Sequence, residues 1–224
     1  MFRYLSGLVL FILLLSVSNL FAAESLKFEY IPIDYGYARR TVNCIFQDSM
    51  GYLWFGTRDG LKRYDGYEFT YYRPQRNDST SISSFFVTSI AETKDGSLWI
   101  GTKEGLNRFE RTKEQFIRYL PGQDEKQAPA GKFISALSTD SRGNLWIGVK
   151  DKGLDKYDPQ SKIFYHYPFE KEAGIEKIFS IYADKKERIW LGLRSRFLNS
   201  FNTINKKFTS YSSQFNYKKP SNSI

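Results

Sequence analysis

One short pattern occurs four times along the chain: an aliphatic residue, Trp, a hydrophobic residue and Gly. The four Trp residues are the only ones among 224 residues, and successive copies lie 45, 47 and 44 positions apart. A period in the mid-forties is typical of proteins assembled from repeated four-stranded β-sheets. No segment shows a sustained 3.6-residue hydrophobic period, which excludes helical solenoids. The copies are Leu53–Gly56, Leu98–Gly101, Leu145–Gly148 and Ile189–Gly192.

Each copy lies inside a longer unit whose pattern predicts four short strands. Aliphatic residues twelve and nine positions before the Trp predict a first strand, and the Trp itself lies in the second. A Gly-Leu pair precedes the third strand, and Phe-x-x-Tyr marks the fourth. The turn after the first strand has Gly in three copies, where a positive φ is needed. Glu187 replaces that Gly in the fourth copy, which predicts a less stable or reshaped turn.

The Trp and Gly residues of the pattern are predicted to be structural. A single four-stranded sheet cannot bury both faces, so stacked sheets are expected with one Trp in each interface. Gly inside a strand marks the close approach of another group. The fold class is therefore all-β: a β-propeller of four-stranded antiparallel blades, four of them present in an incomplete ring. The predicted core positions are Trp54, Trp99, Trp146, Trp190, Gly56, Gly101, Gly148 and Gly192.

The ends of the chain differ from the repeats. Arg3, the apolar run from Leu8 to Leu15 and the pair Ala22-Ala23 predict an exported signal peptide, with a retained N-terminal anchor as the alternative. A strand before the first blade has no three-stranded sheet to complete, which indicates a piece of a longer protein rather than a closed four-blade ring. The predicted organisation is a signal peptide at 1–23, a leading outer strand and linker at 24–40, blades at 41–79, 80–125, 126–170 and 171–212 (the last degenerate), and a polar tail at 213–224.

A basic residue stands four places after each Trp, in the turn that follows the second strand. Equivalent turns project from one end of a propeller, so these residues are predicted to form an arc that binds sulfates or carboxylates. The alternative is ordinary turn composition, because Asp59, Glu104 and Asp151 follow directly. The net charge of +9 is scattered along the sequence, and export argues against nucleic acid as a partner. The predicted ligand-binding residues are Arg58, Lys103, Lys150 and Arg194.

Exposed aromatic rings are a second route to sugar binding, because sugar C–H faces pack on them. Tyr35, Tyr37, Tyr67 and Tyr71 lie outside the repeated positions, with ordinary sheet packing as the alternative.

No catalytic set, metal site or cofactor is predicted for this chain. The only His, His166, lies between strand aromatics and is expected to be a surface or cross-strand residue. The only Cys, Cys44, has no partner for an internal disulfide and is expected to be a buried small side chain. The chain is therefore predicted not to be an enzyme.

The segment from Gln47 to Gly66 resembles the two-component regulator propeller repeat, whose pattern is D-x-x-G-x-L-W-x-G-T-x-x-G-L-x-x-Y. Copies one to three match this pattern well, and copy four matches weakly. The resemblance implies a periplasmic sensor region of a Bacteroidetes hybrid histidine kinase, held in the inner membrane, dimeric when intact and controlling transcription. It also implies an oligosaccharide ligand. The basic arc predicts that this ligand is anionic. A secreted propeller enzyme acting on polysaccharide and a non-catalytic surface scaffold stay open as alternatives.

Overall fold

The computed structural model describes residues 41–122, 124–169, 177–193 and 198–211. They all belong to one unit, Gly36–Ile224. Within them every helix or strand element is a β-strand, and none of the described residues forms a helix that is long and apolar enough to cross a bilayer. The predicted signal peptide, leading strand and polar tail lie outside the described residues.

Sixteen strands form four antiparallel sheets, each with its strands in sequence order, as the repeat predicted. We number the sheets as blades 1 to 4. Blade 1 contains β1 (Val42–Gln47), β2 (Leu53–Thr57), β3 (Leu61–Tyr64) and β4 (Phe69–Tyr72); blade 2 contains β5 (Val87–Glu92), β6 (Leu98–Thr102), β7 (Gly105–Glu110) and β8 (Gln115–Tyr119). Blade 3 contains β9 (Ile134–Thr139), β10 (Leu145–Val149), β11 (Gly153–Asp158) and β12 (Ile163–Tyr167); blade 4 contains β13 (Ile178–Ala183), β14 (Arg188–Leu193), β15 (Leu198–Asn202) and β16 (Lys207–Tyr211).

The first strands of neighbouring blades contact one another, so β1, β5, β9 and β13 form the inner edge of the stack. We call the side of a blade that faces the preceding blade its leading face, and the opposite side its trailing face. This stacking of four-stranded sheets along their first strands is the blade arrangement of a β-propeller.

The turn after the first strand is built by its Asp. In blade 1 the Asp48 Oδ1 atom accepts hydrogen bonds from the amides of Met50 and Tyr52, each at 3.0 Å, and Gly51 has φ +91°. In blade 4 the same position of the turn is Glu187 with φ +59°, a left-handed conformation that disfavours residues with a Cβ. The fourth turn thus keeps the positive φ of the others, and a lower stability of this turn stays a prediction.

Three Trp residues fill the interfaces between blades, as predicted. Trp54 is fully buried between Tyr72 of its own blade and Phe109 of blade 2, with ring centroids 5.8 and 5.2 Å away. Trp99 and Trp146 are 1% exposed and pack on Tyr157 of blade 3 and Phe201 of blade 4 respectively.

Trp190 is less buried than predicted. It is only half-buried, and its ring partner, Tyr211 at 5.4 Å, belongs to its own blade. The reason is that no described blade stacks on the trailing face of blade 4.

The Gly two places after each Trp makes room for the next blade. A Cβ on Gly56 would lie 2.6 Å from Val87 Cγ1, and one on Gly101 would lie 2.8 Å from Ile134 Cγ2. Gly148 meets Ile178 of blade 4 in the same way, at 3.0 Å. These distances confirm the predicted close approach, because real Cβ atoms do not pack so tightly.

Candidate functional site

The predicted basic residues lie in the turns between the second and third strands. In blade 1 the Thr57 hydroxyl donates to the carbonyl of Gly60 and accepts from the amide of Asp59, both at 2.9 Å. Thr102 makes the same pair of bonds in blade 2. The hydroxyl closes the turn from inside, so that Arg58 and Lys103 project into solvent. Arg194 lies outside the described residues.

Two Phe residues stand between these cations. Phe86 has the Arg58 guanidinium 5.5 Å and the Lys103 ammonium 4.0 Å from its ring centroid. Phe133 has Lys103 at 5.9 Å and Lys150 at 5.8 Å. All four distances fall within the range of cation–π contacts. We call this row the cation ladder; it comprises Arg58, Phe86, Lys103, Phe133 and Lys150.

Backbone hydrogen bonds fix the ladder at one end of the blades. Each Phe directly precedes the first strand of its blade, and its carbonyl accepts the amide of the turn Lys. The bond from Lys103 to Phe86 is 3.2 Å and that from Lys150 to Phe133 is 2.9 Å. The ladder therefore lies where the inner strands begin, and it crosses the boundaries between blades 1, 2 and 3.

Acidic neighbours neutralise only part of the ladder. Asp59 forms its ion pair with Arg73 instead of Arg58, whereas Asp151 lies 3.6 Å from Lys150. Among the described residues, Arg58 and Lys103 have no carboxylate within ion-pair distance. Asp59 thus pairs with Arg73, and ordinary turn composition stays the alternative interpretation of these cations.

The ladder contains residues that the sequence reasoning missed. Phe86 and Phe133 are half-buried and lie 47 positions apart, so their periodicity with the Trp residues was a usable signal. Lys177 adds a further cation, 5.5 Å from the Phe133 ring and 4.6 Å from that of Phe179. Half-buried aromatic rings beside cations suit a sugar ring that carries a sulfate or carboxylate.

The candidate tyrosines do not join this row. Tyr67 is 94% exposed and lies in the turn between β3 and β4, at the other end of blade 1. Tyr71 packs its ring beneath the Lys62 ammonium, 5.1 Å from the centroid. Tyr35 and Tyr37 lie outside the described residues.

The turn carboxylates at the opposite end hold the Trp residues in place. Asp48 Oδ2 accepts the Trp54 indole N–H at 2.8 Å and the Arg111 guanidinium of blade 2 at 2.7 Å. Burial raises the pKa of Asp48, but the bonds from Arg111 and Trp54 outweigh it, and the pKa lies below its ordinary value. Asp140 and Asp184 bond Trp146 and Trp190 in the same way, and Thr93 replaces the carboxylate for Trp99. These residues are structural.

A polar side chain is buried in the third strand of every blade, directly after its Leu. In blade 2 Asn107 accepts the amide of Ser83 at 2.9 Å, and in blade 3 Asp155 accepts the amide of Ala130 at 2.7 Å. Ser83 lies in the connector between β4 and β5, which leads into blade 2, and Ala130 lies in the connector between β8 and β9, which leads into blade 3. The buried positions are Lys62, Asn107, Asp155 and Asn199.

His166 is a cross-strand residue, as predicted, and lies directly opposite Asp155. Its Nδ1 atom is 2.9 Å from Asp155 Oδ1, and its Nε2 atom is 2.7 Å from the carbonyl of Glu125. Both partners are acceptors, so the geometry suits the doubly protonated ring. The hydrogen bond to Asp155 raises the pKa of His166 to about 9, although partial burial opposes this. Burial raises the pKa of Asp155 despite the bond from His166.

The described residues contain no group of three or more His, Cys, Asp or Glu side chains that could hold a metal ion. Burial raises the pKa of the Cys44 thiol to about 12, so this side chain is not a ready nucleophile.

Comparison with known proteins adds to this geometry. The sequence model of the family described as two component regulator propeller matches residues 36–59 and 81–104. The two segments are similar to two-component regulator propeller repeats. They include the Trp54 and Trp99 strands and the first two cations of the ladder.

A curated relative of these propeller repeats is histidine kinase P4 of Formosa agariphila. It is 52% identical over 54 residues, which are 24% of this chain and 4% of that protein. The chain thus spans a small part of a much longer relative.

Two solved structures share the propeller fold. One is the extracellular domain assigned to a hybrid two component system of B. thetaiotaomicron, with a TM-score of 0.71 and 20% identity over 83% of this chain and 26% of that one. The other is a catalytically inactive variant of virginiamycin B lyase from Staphylococcus aureus with quinupristin. Its TM-score is 0.63 and its identity 15%, over 85% of this chain and 61% of that one. At these identities the likeness concerns the fold.

Proposed function

We propose that this chain is part of the extracytoplasmic ligand-sensing propeller of a hybrid two-component regulator, and that it binds an anionic oligosaccharide on the cation ladder. Binding is relayed to a kinase encoded outside the 224 residues. The observation that carries the ligand proposal is the ladder itself, in which Phe86 and Phe133 alternate with cations from three blades.

The chemistry of the ladder favours an acidic sugar chain over a neutral one. Lys103 lies 4.0 Å above the Phe86 ring centroid, so a sugar ring packed beside that Phe places its anionic substituent near the ammonium group. Successive cations are one blade apart, which suits a ligand of several sugar units instead of a single one. Charge-assisted hydrogen bonds are roughly twice as strong as neutral ones.

The relatives support the proposed context. The propeller repeats match those of a two-component family, the Formosa agariphila relative is a histidine kinase, and the B. thetaiotaomicron neighbour is an extracellular domain. We accordingly propose export by the signal peptide at 1–23, a periplasmic location, an inner-membrane anchor in the intact protein and action as a homodimer. The remaining blades and the kinase are the expected intramolecular partners.

Calorimetric titration of the full chain with a sulfated oligosaccharide tests the ligand proposal. The double variant Arg58→Glu/Lys103→Glu is expected to weaken binding at least about tenfold, since each lost charged contact contributes about 1.5–3 kcal/mol. The control Lys113→Glu/Lys185→Glu makes the same change of charge in exposed turns at the other end of the blades. Equal affinity of the ladder variant and the wild-type chain contradicts the proposal.

We propose further that the chain leaves its ligand chemically unchanged. His166 Nε2 lies 2.7 Å from the carbonyl of Glu125 and its Nδ1 atom lies 2.9 Å from the Asp155 carboxylate, and burial raises the pKa of the Cys44 thiol to about 12. Recovery of the intact oligosaccharide after long incubation is the expected result. Cleavage products that depend on this chain support the alternative of a polysaccharide-active enzyme.

A further inference from the structure

A cavity of about 240 Å³ lies beside the connector that leads into blade 3. It is separate from the ladder residues and holds the volume of about eight water molecules. Its walls are largely apolar, and a Lys, a Glu and a His are among the lining residues. The lining residues used below are Glu125, Ala128, Ala130, Lys152 and His166, together with Pro side chains.

The connector into blade 2 makes the same two backbone anchors as the connector into blade 3. In both, a connector carbonyl accepts the amide of the Phe on the fourth strand: Thr80 bonds Phe116 at 2.7 Å, and Lys126 bonds Phe164 at 3.0 Å. The bonds of Ser83 to Asn107 and of Ala130 to Asp155 also correspond. The two connectors correspond at these two anchor points, and the blade 3 connector has one residue more between them, because Ala130 lies four positions after Lys126 whereas Ser83 lies three after Thr80.

In blade 2 the space beside the connector is occupied by Arg118. Its guanidinium donates to the carbonyls of Asp78 and Ser81, each at 2.7 Å, and to the Ser81 hydroxyl at 2.8 Å. Ser83 adds a second hydroxyl, which accepts a bond from Asn107 at 2.9 Å.

In blade 3 each of these side chains is smaller. His166 stands in the register position of Arg118, Ala130 stands in the place of Ser83, and Ala128 lies two residues before Ala130, as Ser81 lies two residues before Ser83. The imidazole reaches Asp155 and one carbonyl but does not extend along the connector. The cavity is thus the volume left by a longer side chain and two hydroxyls.

Three ionisable side chains line the cavity: Lys152, Glu125 and His166. The charge of His166 is offset by Asp155, whose Oδ1 atom lies 2.9 Å from its Nδ1 atom. Lys152 is exposed, and within the described ranges it forms no ion pair. A lone ammonium group at the rim of an apolar cavity suits a carboxylate, whose body then packs on the Pro and Ala side chains.

We propose that this cavity binds a small organic carboxylate of about monosaccharide size, with its carboxylate group on Lys152. The site is specific to blade 3, because the equivalent volume in blade 2 is filled by Arg118. It is independent of oligosaccharide binding on the cation ladder, and either site can fail without the other.

Titration of the full chain with D-galacturonate, followed by calorimetry, tests this proposal. D-galactose is the matched neutral probe and is expected to bind at least about tenfold more weakly, the loss of one charged contact. Lys152→Met is expected to lose the same factor, whereas Lys185→Met, in an exposed turn of blade 4, retains wild-type affinity. Equal binding of the two sugars, equal binding by Lys152→Met, or no binding of galacturonate at millimolar concentration overturns it.

A second variant fills the cavity with the side chains of blade 2. The triple variant Asp155→Asn/His166→Arg/Ala128→Ser is expected to abolish galacturonate binding while its circular dichroism spectrum stays that of the wild-type chain. Lys152→Met provides the test if this triple variant does not fold. The ladder variant Arg58→Glu/Lys103→Glu is expected to bind galacturonate normally, which separates the failure of one site from that of the other.

Discussion

The faces between blades and the faces at the two ends of the stack are made of the same repeat but differ in burial. On the leading face of blade 2, Ile90 is 8% exposed beneath blade 1. Its counterpart in blade 1, Ile45, is 62% exposed. On the trailing side, Ala91 of blade 2 is 5% exposed, whereas Tyr182 at the same position of blade 4 is 66% exposed. Trp190 follows this trend, since it is the half-buried member of the Trp set.

The difference shows what a blade contributes by itself and what its neighbour adds. The repeat specifies each side chain, but most of the stabilisation from that side chain arises only when another blade covers it. The same residue type in the same strand is therefore expected to differ in its contribution to stability by several kcal/mol. Matched pairs of variants in covered and open faces measure this difference directly.

The largest effect is expected at the Trp residues. Trp99→Ala removes a ring that is 1% exposed and packed on blade 3, and we expect a loss of about 3–5 kcal/mol in the free energy of unfolding. Trp190→Ala is expected to cost less than half as much, because its trailing side is open. Urea denaturation of both variants checks this, and equal losses contradict it.

The inner aliphatic positions are expected to show the next largest difference. Ile90→Ala empties a covered site and is expected to cost about 2–4 kcal/mol. Ile45→Ala removes the same atoms from a largely exposed site, with an expected loss below about 1 kcal/mol. Urea denaturation of both variants measures this difference. Equal shifts of the urea midpoint for Ile45→Ala and Ile90→Ala contradict the prediction.

The turn carboxylates allow the same comparison between a covered and an uncovered blade face for a charged group. Asp48→Asn weakens the bond to Arg111 across the blade boundary, and we expect a loss of about 2 kcal/mol at pH 7. Asp184→Asn, whose partner Arg188 belongs to its own blade, is expected to lose less than half of that. Because the pKa of Asp48 is lowered in the folded state, its contribution is present above the ordinary value of 3.8 and is lost as the pH falls below it.

Thermal melts across this range provide the measurement. The wild-type chain and Asp48→Asn are expected to converge in stability at low pH. A gap between them that stays constant down to pH 2 shows that the carboxylate charge is not the cause.

The Gly residues after the Trp give the smallest expected effect. Gly101→Ala drives a Cβ against Ile134 of the next blade and is expected to cost about 1–3 kcal/mol. The three described atoms nearest to a Cβ on Gly192 all belong to Ser180 of its own sheet, so the loss is expected to be about 1 kcal/mol smaller. Melting temperatures resolve the difference, and a larger loss at Gly192 argues against close approach between blades as its cause.

Much of the fold could be predicted from the sequence because the same side chains recur at a fixed period. Strand number, turn position and the buried slots of Trp54, Trp99 and Trp146 all follow from that recurrence. The exposure of Trp190 does not, since it depends on what covers the blade and not on the residue. The blade limits proposed from the sequence stay predictions.

The candidate site could be predicted only in part. The turn cations recur with the Trp residues, but their pairing with Phe86 and Phe133 arises between blades, where spacing alone says little. The blade 3 cavity results from side chains shorter than those of blade 2. His166 by itself did not predict this cavity, because the cavity follows from the difference in length between His166 and the equivalent Arg118.

Binding of an acidic oligosaccharide on the cation ladder is tested by mapping contacts with backbone amide NMR. A sulfated oligosaccharide is titrated into the full chain, and the shift of each amide is followed. The largest shifts are expected at Arg58, Phe86, Lys103 and Phe133, with little change in the turns at Met50 and Lys185 at the other end. Largest shifts in those opposite turns, or no shifts at saturating ligand, contradict the claim.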